Sequence, residues 1–143
     1  MSRRARWVVD TNVLVSAFLW GRNPAKIIEA VAENEVQLFT SKALLDELAA
    51  TLSKRKLAKA VSATGFSSGE LVARYRQFST LITARRLAFT ACRDADDDKV
   101  LACAITARAV LIVSGDDDLL SMKEFDDIPI MTVAQALKTL PGR

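Results

Sequence analysis

The stretch WVVDTNVLVSA, residues 7–17, sets a carboxylate between two apolar segments. A buried acid without partners is costly, so Asp10 needs a physical reason to be there. The residues before it, 6–9, are short, apolar and partly β-branched, and read as a strand that ends at Asp10. After Thr11 and Asn12 the apolar character resumes with Val13, Leu14, Ala17 and Phe18 at helical spacing.

The same alternation continues along the chain. Asn23 and Pro24 read as the N-cap and first residue of a helix whose apolar face is Ile27, Ile28, Val31 and Ala32. VQLFT, residues 36–40, is a second strand. Ser41 is positioned to cap a helix with Leu44, Leu45, Leu48 and Leu52 as its buried stripe. A shorter helix over 56–62 and an amphipathic helix over 68–80 follow, with a short strand expected around Leu87–Thr90. DDDKVLACAITARA is a helix, VLIVS a buried strand, GDDDLL a tight turn into a short helix, IPIMT a last strand and VAQALKTL a closing helix. Strands alternating with helices predict a three-layer α/β/α sandwich with a central parallel sheet, in one domain spanning 1–143.

Composition narrows the chemistry. The 143 residues include no histidine, which removes His-ligated zinc and any Ser-His-Asp triad. No apolar run approaches the roughly 18 residues of a membrane span, and no signal peptide is read at the N-terminus. Cys92 and Cys103 form no metal-binding pattern, so reduced thiols and a cytoplasmic location are expected. The net charge of +3 points weakly to an anionic partner.

Acids recur at one edge. In open α/β sheets, ligands gather outside the carboxyl ends of the strands. Asp10 and Asp116 both follow strands there, each with a plain alternative as a helix cap or turn residue. Asp98 opens a helix, where the dipole alone favours an acid, and Glu47 borders the Leu44/Leu48 stripe. Carboxylates gathered in one place repel unless protons or a divalent cation neutralise them. Oxygen-only ligands select Mg²⁺ or Mn²⁺, and such sites suit phosphodiester hydrolysis. Two other classes fit an acidic sheet edge: a phosphoryl-transfer domain, receiver-like or an aspartyl phosphatase, and a non-catalytic nucleic-acid-binding module. The phosphatase is expected to carry Asp-x-Asp after its first strand, where this chain has Asp-Thr-Asn.

Four blocks together, VVDTNVLVSAF at 8–18, LLDELAATL at 44–52, DADDDKVLACAITARAVLIVSGDDDLL at 94–120 and IPIMTVAQAL at 128–137, resemble the PIN-domain ribonucleases. Many members of that family are VapC-type toxins of toxin–antitoxin pairs. The resemblance implies Mg²⁺- or Mn²⁺-dependent cleavage of single-stranded RNA. It implies metal binding by Asp10, Asp98 and Asp116, with Glu47 completing the acidic pocket and Asp118 as a second candidate for the last acid; the choice within the runs 96–98 and 116–118 stays open by one or two residues. It further implies that Ser114 orients the acid or water and that Thr11 and Asn12 hold Asp10. Arg93, Lys99, Lys54, Arg55 and Lys56 are candidate phosphate contacts, with plain surface charge as the favoured alternative for each. A cognate antitoxin and a homodimer are the implied protein partners.

Overall fold

The computed structural model describes residues 4–85 and 95–142, with side chains of the late central helix described from Asp97 onward. The expected strand at Leu87–Thr90, Cys92 and Arg93 lie outside the described residues. The first strand, β1 (Ala5–Val9), leads through Asp10 into α1 (Thr11–Leu19) and α2 (Arg22–Ala32). Next come β2 (Val36–Thr40), α3 (Lys42–Leu52), a 3₁₀ turn (Arg55–Leu57), α4 (Ala58–Ala63), α5 (Ser68–Phe78) and β3 (Ser79–Leu81). The second half holds α6 (Ala95–Ala107), β4 (Leu111–Val113), α7 (Asp117–Met122), β5 (Glu124–Phe125), β6 (Ile128–Met131) and α8 (Val133–Lys138).

The strands form one sheet in the order β3-β2-β1-β4-β6-β5. β1 sits centrally, parallel to β2 on one side and to β4 on the other. Its side chains alternate between two cores, as strand geometry requires. Trp7 and Val9 pack with α1, α2, α3, α5 and α8, together with Leu111 and Val113 of β4. Val8 and Ile112 point the other way, onto Val100, Leu101 and Ala104 of α6 and Leu119 of α7. The sandwich is therefore three-layered.

Three local expectations change. The sheet is mixed, because β5 runs antiparallel to β6. Asp126 and Asp127 connect them with φ of 52° and 64°, the pair of positive values that a tight two-residue hairpin needs. Asn23 is not the cap of α2: the helix begins at Arg22 behind Gly21, whose φ of 70° turns the chain without a side-chain cap. Ser79–Leu81 forms an edge strand directly after α5, shortening the helix expected over 68–80. Among the described residues, no helix is long and apolar enough to cross a membrane.

Candidate active site

The ends of β1 and β4 build the polar centre. The Asp10 backbone N–H donates to the Val113 carbonyl at 3.0 Å, extending the ladder one residue past β1. The chain then turns, and Asp10 becomes the N-cap of α1. Its Oδ1 accepts from the backbone N–H groups of Asn12 at 3.0 Å and Val13 at 3.3 Å. Its Oδ2 accepts from the Ser114 hydroxyl. Ser114, fully buried, in turn accepts from the Asp116 N–H at 2.9 Å. One hydroxyl thus ties the two strand ends together. Asp116 repeats the design of Asp10: its Oδ2 caps α7 by accepting from the Leu119 N–H at 3.0 Å. The plain role as helix caps is real for both acids.

Asp10 is only 6% exposed. Burial pushes its carboxyl above the usual range, and the negative charge of Asp116 adds to that. The bonds from Ser114, Val13 and Asn12 act in the opposite direction. Asn12 supports Asp10 through its backbone N–H rather than its side chain. Thr11 is buried at the start of α1.

A second group of acids lies beside this centre. Carboxylate oxygens of Asp97, Asp116 and Asp118 all fall within 4.8 Å of one another. Of the 96–98 run, whose assignment the sequence leaves open, Asp97 and not Asp98 is in this group among the described residues. Helix phase explains the choice. Val100, Leu101 and Ala104 are buried against the sheet. They stand three, four and seven residues after Asp97, so Asp97 heads the same stripe where α6 overhangs the sheet edge. One further residue along the helix turns Asp98 about 100° away. The run of three acids hid this phase, although the spacing to the apolar stripe carried it.

Glu47 is joined to α6 by a loose ion pair, its Oε2 lying 4.0 Å from Lys99 Nζ. Lys99, a candidate phosphate contact, therefore faces an acid. Lys54, Arg55 and Lys56 are exposed beyond the C-terminus of α3. The eleven residues of that helix separate them from its Ser41 end by about 16 Å.

Beside the acids is an open cleft of about 420 Å³. Asn12, Val13 and Ser16 of α1 form one wall, and Pro24 of α2 and Gly115 complete it around Asp116–Asp118. Sequence reasoning did not place Ser16, Pro24 or Gly115 at the site. The hard oxygen donors of Asp97, Asp116 and Asp118 fit a cation of the Mg²⁺ or Mn²⁺ type, and their mutual repulsion is what such an ion relieves.

These features define an α/β protein with an acid-lined cleft at the carboxyl edge of its sheet. The chain belongs to the PIN domain family, whose model matches residues 6–118. PIN domain nucleases are hydrolases acting on nucleic acids, and they generally use divalent metals. A relative in Methanocaldococcus jannaschii, "Uncharacterized protein MJ1680", is 30% identical over 120 residues, covering 82% of this chain and 74% of that protein. The fold is similar to that in the crystal structure of VapBC2 from Rickettsia felis bound to a DNA fragment from their promoter. That match has a TM-score of 0.59 and 14% identity, and covers 87% of this chain and 96% of the other. A PIN domain of T. brucei RRP44 matches with a TM-score of 0.44 and 14% identity, over 95% of this chain and 80% of that one.

Proposed function

We propose that the protein is a Mg²⁺- or Mn²⁺-dependent endoribonuclease that hydrolyses phosphodiester bonds of single-stranded RNA. The observation that carries this reading is the convergence of Asp97, Asp116 and Asp118 beside a buried Asp10 that one serine ties to Asp116. Asp97, Asp116 and Asp118 would hold the ion. Bound there, it offsets phosphate charge and acidifies water.

The protein's own contribution is placement. Ser114 fixes the Asp10 carboxylate and the Asp116 backbone at once, so the acids keep one geometry without reorganising. Asp10 sets negative charge beneath the cleft, where burial strengthens its field. The loose Glu47–Lys99 pair links α3 to α6. Asp98 stays a candidate for a water-mediated or second-ion role. An aspartyl phosphatase needs a carboxylate oxygen open to attack. Asp10 is 6% exposed and its oxygens are engaged by α1 and Ser114, and the chain reads Asp-Thr-Asn where an aspartyl phosphatase is expected to carry Asp-x-Asp.

A role as the toxin of a toxin–antitoxin pair is part of the same proposal. Its support is the family and the likeness in fold to a chain of the VapBC2 structure. Trp20, 56% exposed at the end of α1, offers apolar area for an antitoxin or a second copy. The test is incubation of a mixed RNA pool with Mg²⁺, Mn²⁺ or chelator, followed by sequencing of fragment ends. Internal cuts that appear with either ion and vanish with chelator are expected. An intact pool in both ions rejects the proposal.

A further inference from the structure

The cleft beside the acids is larger than an ion requires. Its 420 Å³ lies in the range of small-molecule sites, about 300–1,000 Å³. Two walls differ in character. Val13 and Pro24 are apolar, while Asn12 and Ser16, four residues apart, stand on one face of α1. Among the described residues, neither the Asn12 side-chain amide nor the Ser16 hydroxyl takes part in a side-chain hydrogen bond, so both can serve a ligand.

Gly115 supplies the third observation. It sits between Ser114 and Asp116, where a residue with a side chain would be sterically allowed. Its φ is not in the left-handed region, and an added Cβ would meet nothing within 4 Å. Neither backbone conformation nor packing calls for glycine there. Gly115 lines the cleft, and among the described residues the space beside it is open.

We propose that this cleft seats one nucleoside of the RNA strand next to the phosphate being cut. The base edge hydrogen-bonds to the Asn12 amide and the Ser16 hydroxyl, its faces pack on Val13 and Pro24, and Gly115 leaves room for it. An amide offers donor and acceptor side by side, the geometry that reads a base edge. Base preference at one position beside the cut then follows from α1 and the β4–α7 turn. The proposal rests on the nuclease reading.

The test uses a random-sequence single-stranded RNA library with Mn²⁺ and the full chain. Wild type is compared with Ser16→Ala and Gly115→Ala after each variant is shown to melt cooperatively. Wild type is expected to prefer particular bases at one flanking position. Ser16→Ala relaxes that preference roughly tenfold, the discrimination one specific hydrogen bond provides. Gly115→Ala raises KM roughly tenfold, with a smaller change in kcat, because the methyl occupies ground-state binding space. Cleavage by wild type without base preference overturns the inference. So do variants with wild-type preference and KM, and in both cases the nuclease reading stands. A wild type that cuts no RNA in either ion overturns the nuclease reading and the inference with it.

Discussion

The carboxyl ends of β1 and β2 are neighbours in one sheet, and each hands the chain to a helix through a buried polar residue. At β2 the residue is Ser41, whose hydroxyl accepts from the Leu44 N–H at 3.3 Å and caps α3. At β1 it is Asp10, capping α1 in the same way. Serine and aspartate are about equally good N-caps, so capping does not explain why β1 ends in a charge. A neutral hydroxyl does that work one strand away, without desolvating an ion. Asp10 also carries the Ser114 bond and the field of Asp116, and has no neutral equivalent. On the proposed nuclease reading, the charge at Asp10 serves chemistry, whereas Ser41 serves the cap alone.

Replacing Asp10 is the strongest test of that contrast. Asp10→Asn preserves the cap acceptor and removes the charge. Cleavage should fall by about a thousandfold, as for loss of a central electrostatic group, measured as initial rates in Mn²⁺. Stability should move the other way. The folded carboxyl titrates above its ordinary value of 3.8. Ionising it therefore weighs against the folded state progressively as pH rises from that value through the folded pKa, and fully above it. Without divalent ions at pH 7, Asp10→Asn should melt a few degrees higher than wild type and show a flatter stability profile across the acid window. A variant that melts lower at pH 7 would make Asp10 a structural cap like Ser41. Next in size is Asp97→Asn, expected to lower the rate about a hundredfold. Asp98→Asn should lose less. The reverse order would put the principal ion on the other side of α6.

Ser114 and Ser41 allow a matched comparison. Ser114→Ala removes the donor to Asp10 and the acceptor for Asp116, leaving buried groups unpaired. It should destabilise by about 1–3 kcal/mol and slow cleavage about tenfold, roughly the effect of losing one positioning hydrogen bond. Because the Ser114 bond holds the Asp10 pKa down, the acidic limb of the pH–rate profile should shift to higher pH. Ser41→Ala should destabilise by about 1 kcal/mol through loss of the cap, with the pH–rate profile unmoved. Thermal melts and rates on the same preparations separate the two.

How far the chain could be read from its letters follows from which signals are local. The layered alternation was legible because each strand is a short apolar run and each long helix repeats its apolar stripe. Asp10 and Asp116 were legible because an acid that terminates such a run must emerge at the sheet edge. The choice within the 96–98 run was not legible because it depends on helix phase relative to Val100, Leu101 and Ala104, not on the acid run itself. β5 is two residues long, and its hairpin uses Asp126-Asp127 in place of the Asn-Gly that marks such turns. The cap of α2 went to Gly21 because the chain reverses one residue earlier than Asn-Pro suggests. Ser16, Pro24 and Gly115 come from three elements whose meeting is set by tertiary packing alone.

The smallest expected effect is also the sharpest test of the β2 end. The Tyr75 ring is wholly buried, edge-on to Phe18 at 6.1 Å and to Phe78 at 5.6 Å. Among the described residues its hydroxyl has no hydrogen-bond partner of normal geometry, although the Thr40 hydroxyl at the end of β2 lies beside it. Burial raises its pKa, and the neighbouring Cys103 thiol, itself pushed up to about 12, adds to that. Both groups therefore stay neutral at any physiological pH. Tyr75→Phe keeps the ring contacts and removes a polar atom that lost its water on folding. It should leave activity unchanged and alter stability by less than about 1 kcal/mol, on the stabilising side. If denaturant melts instead show a loss above about 1 kcal/mol, Tyr75 and Thr40 share a real hydrogen bond. The β2 end would then be a satisfied polar network like that around Asp10, and charge alone, not polarity, would distinguish the two ends.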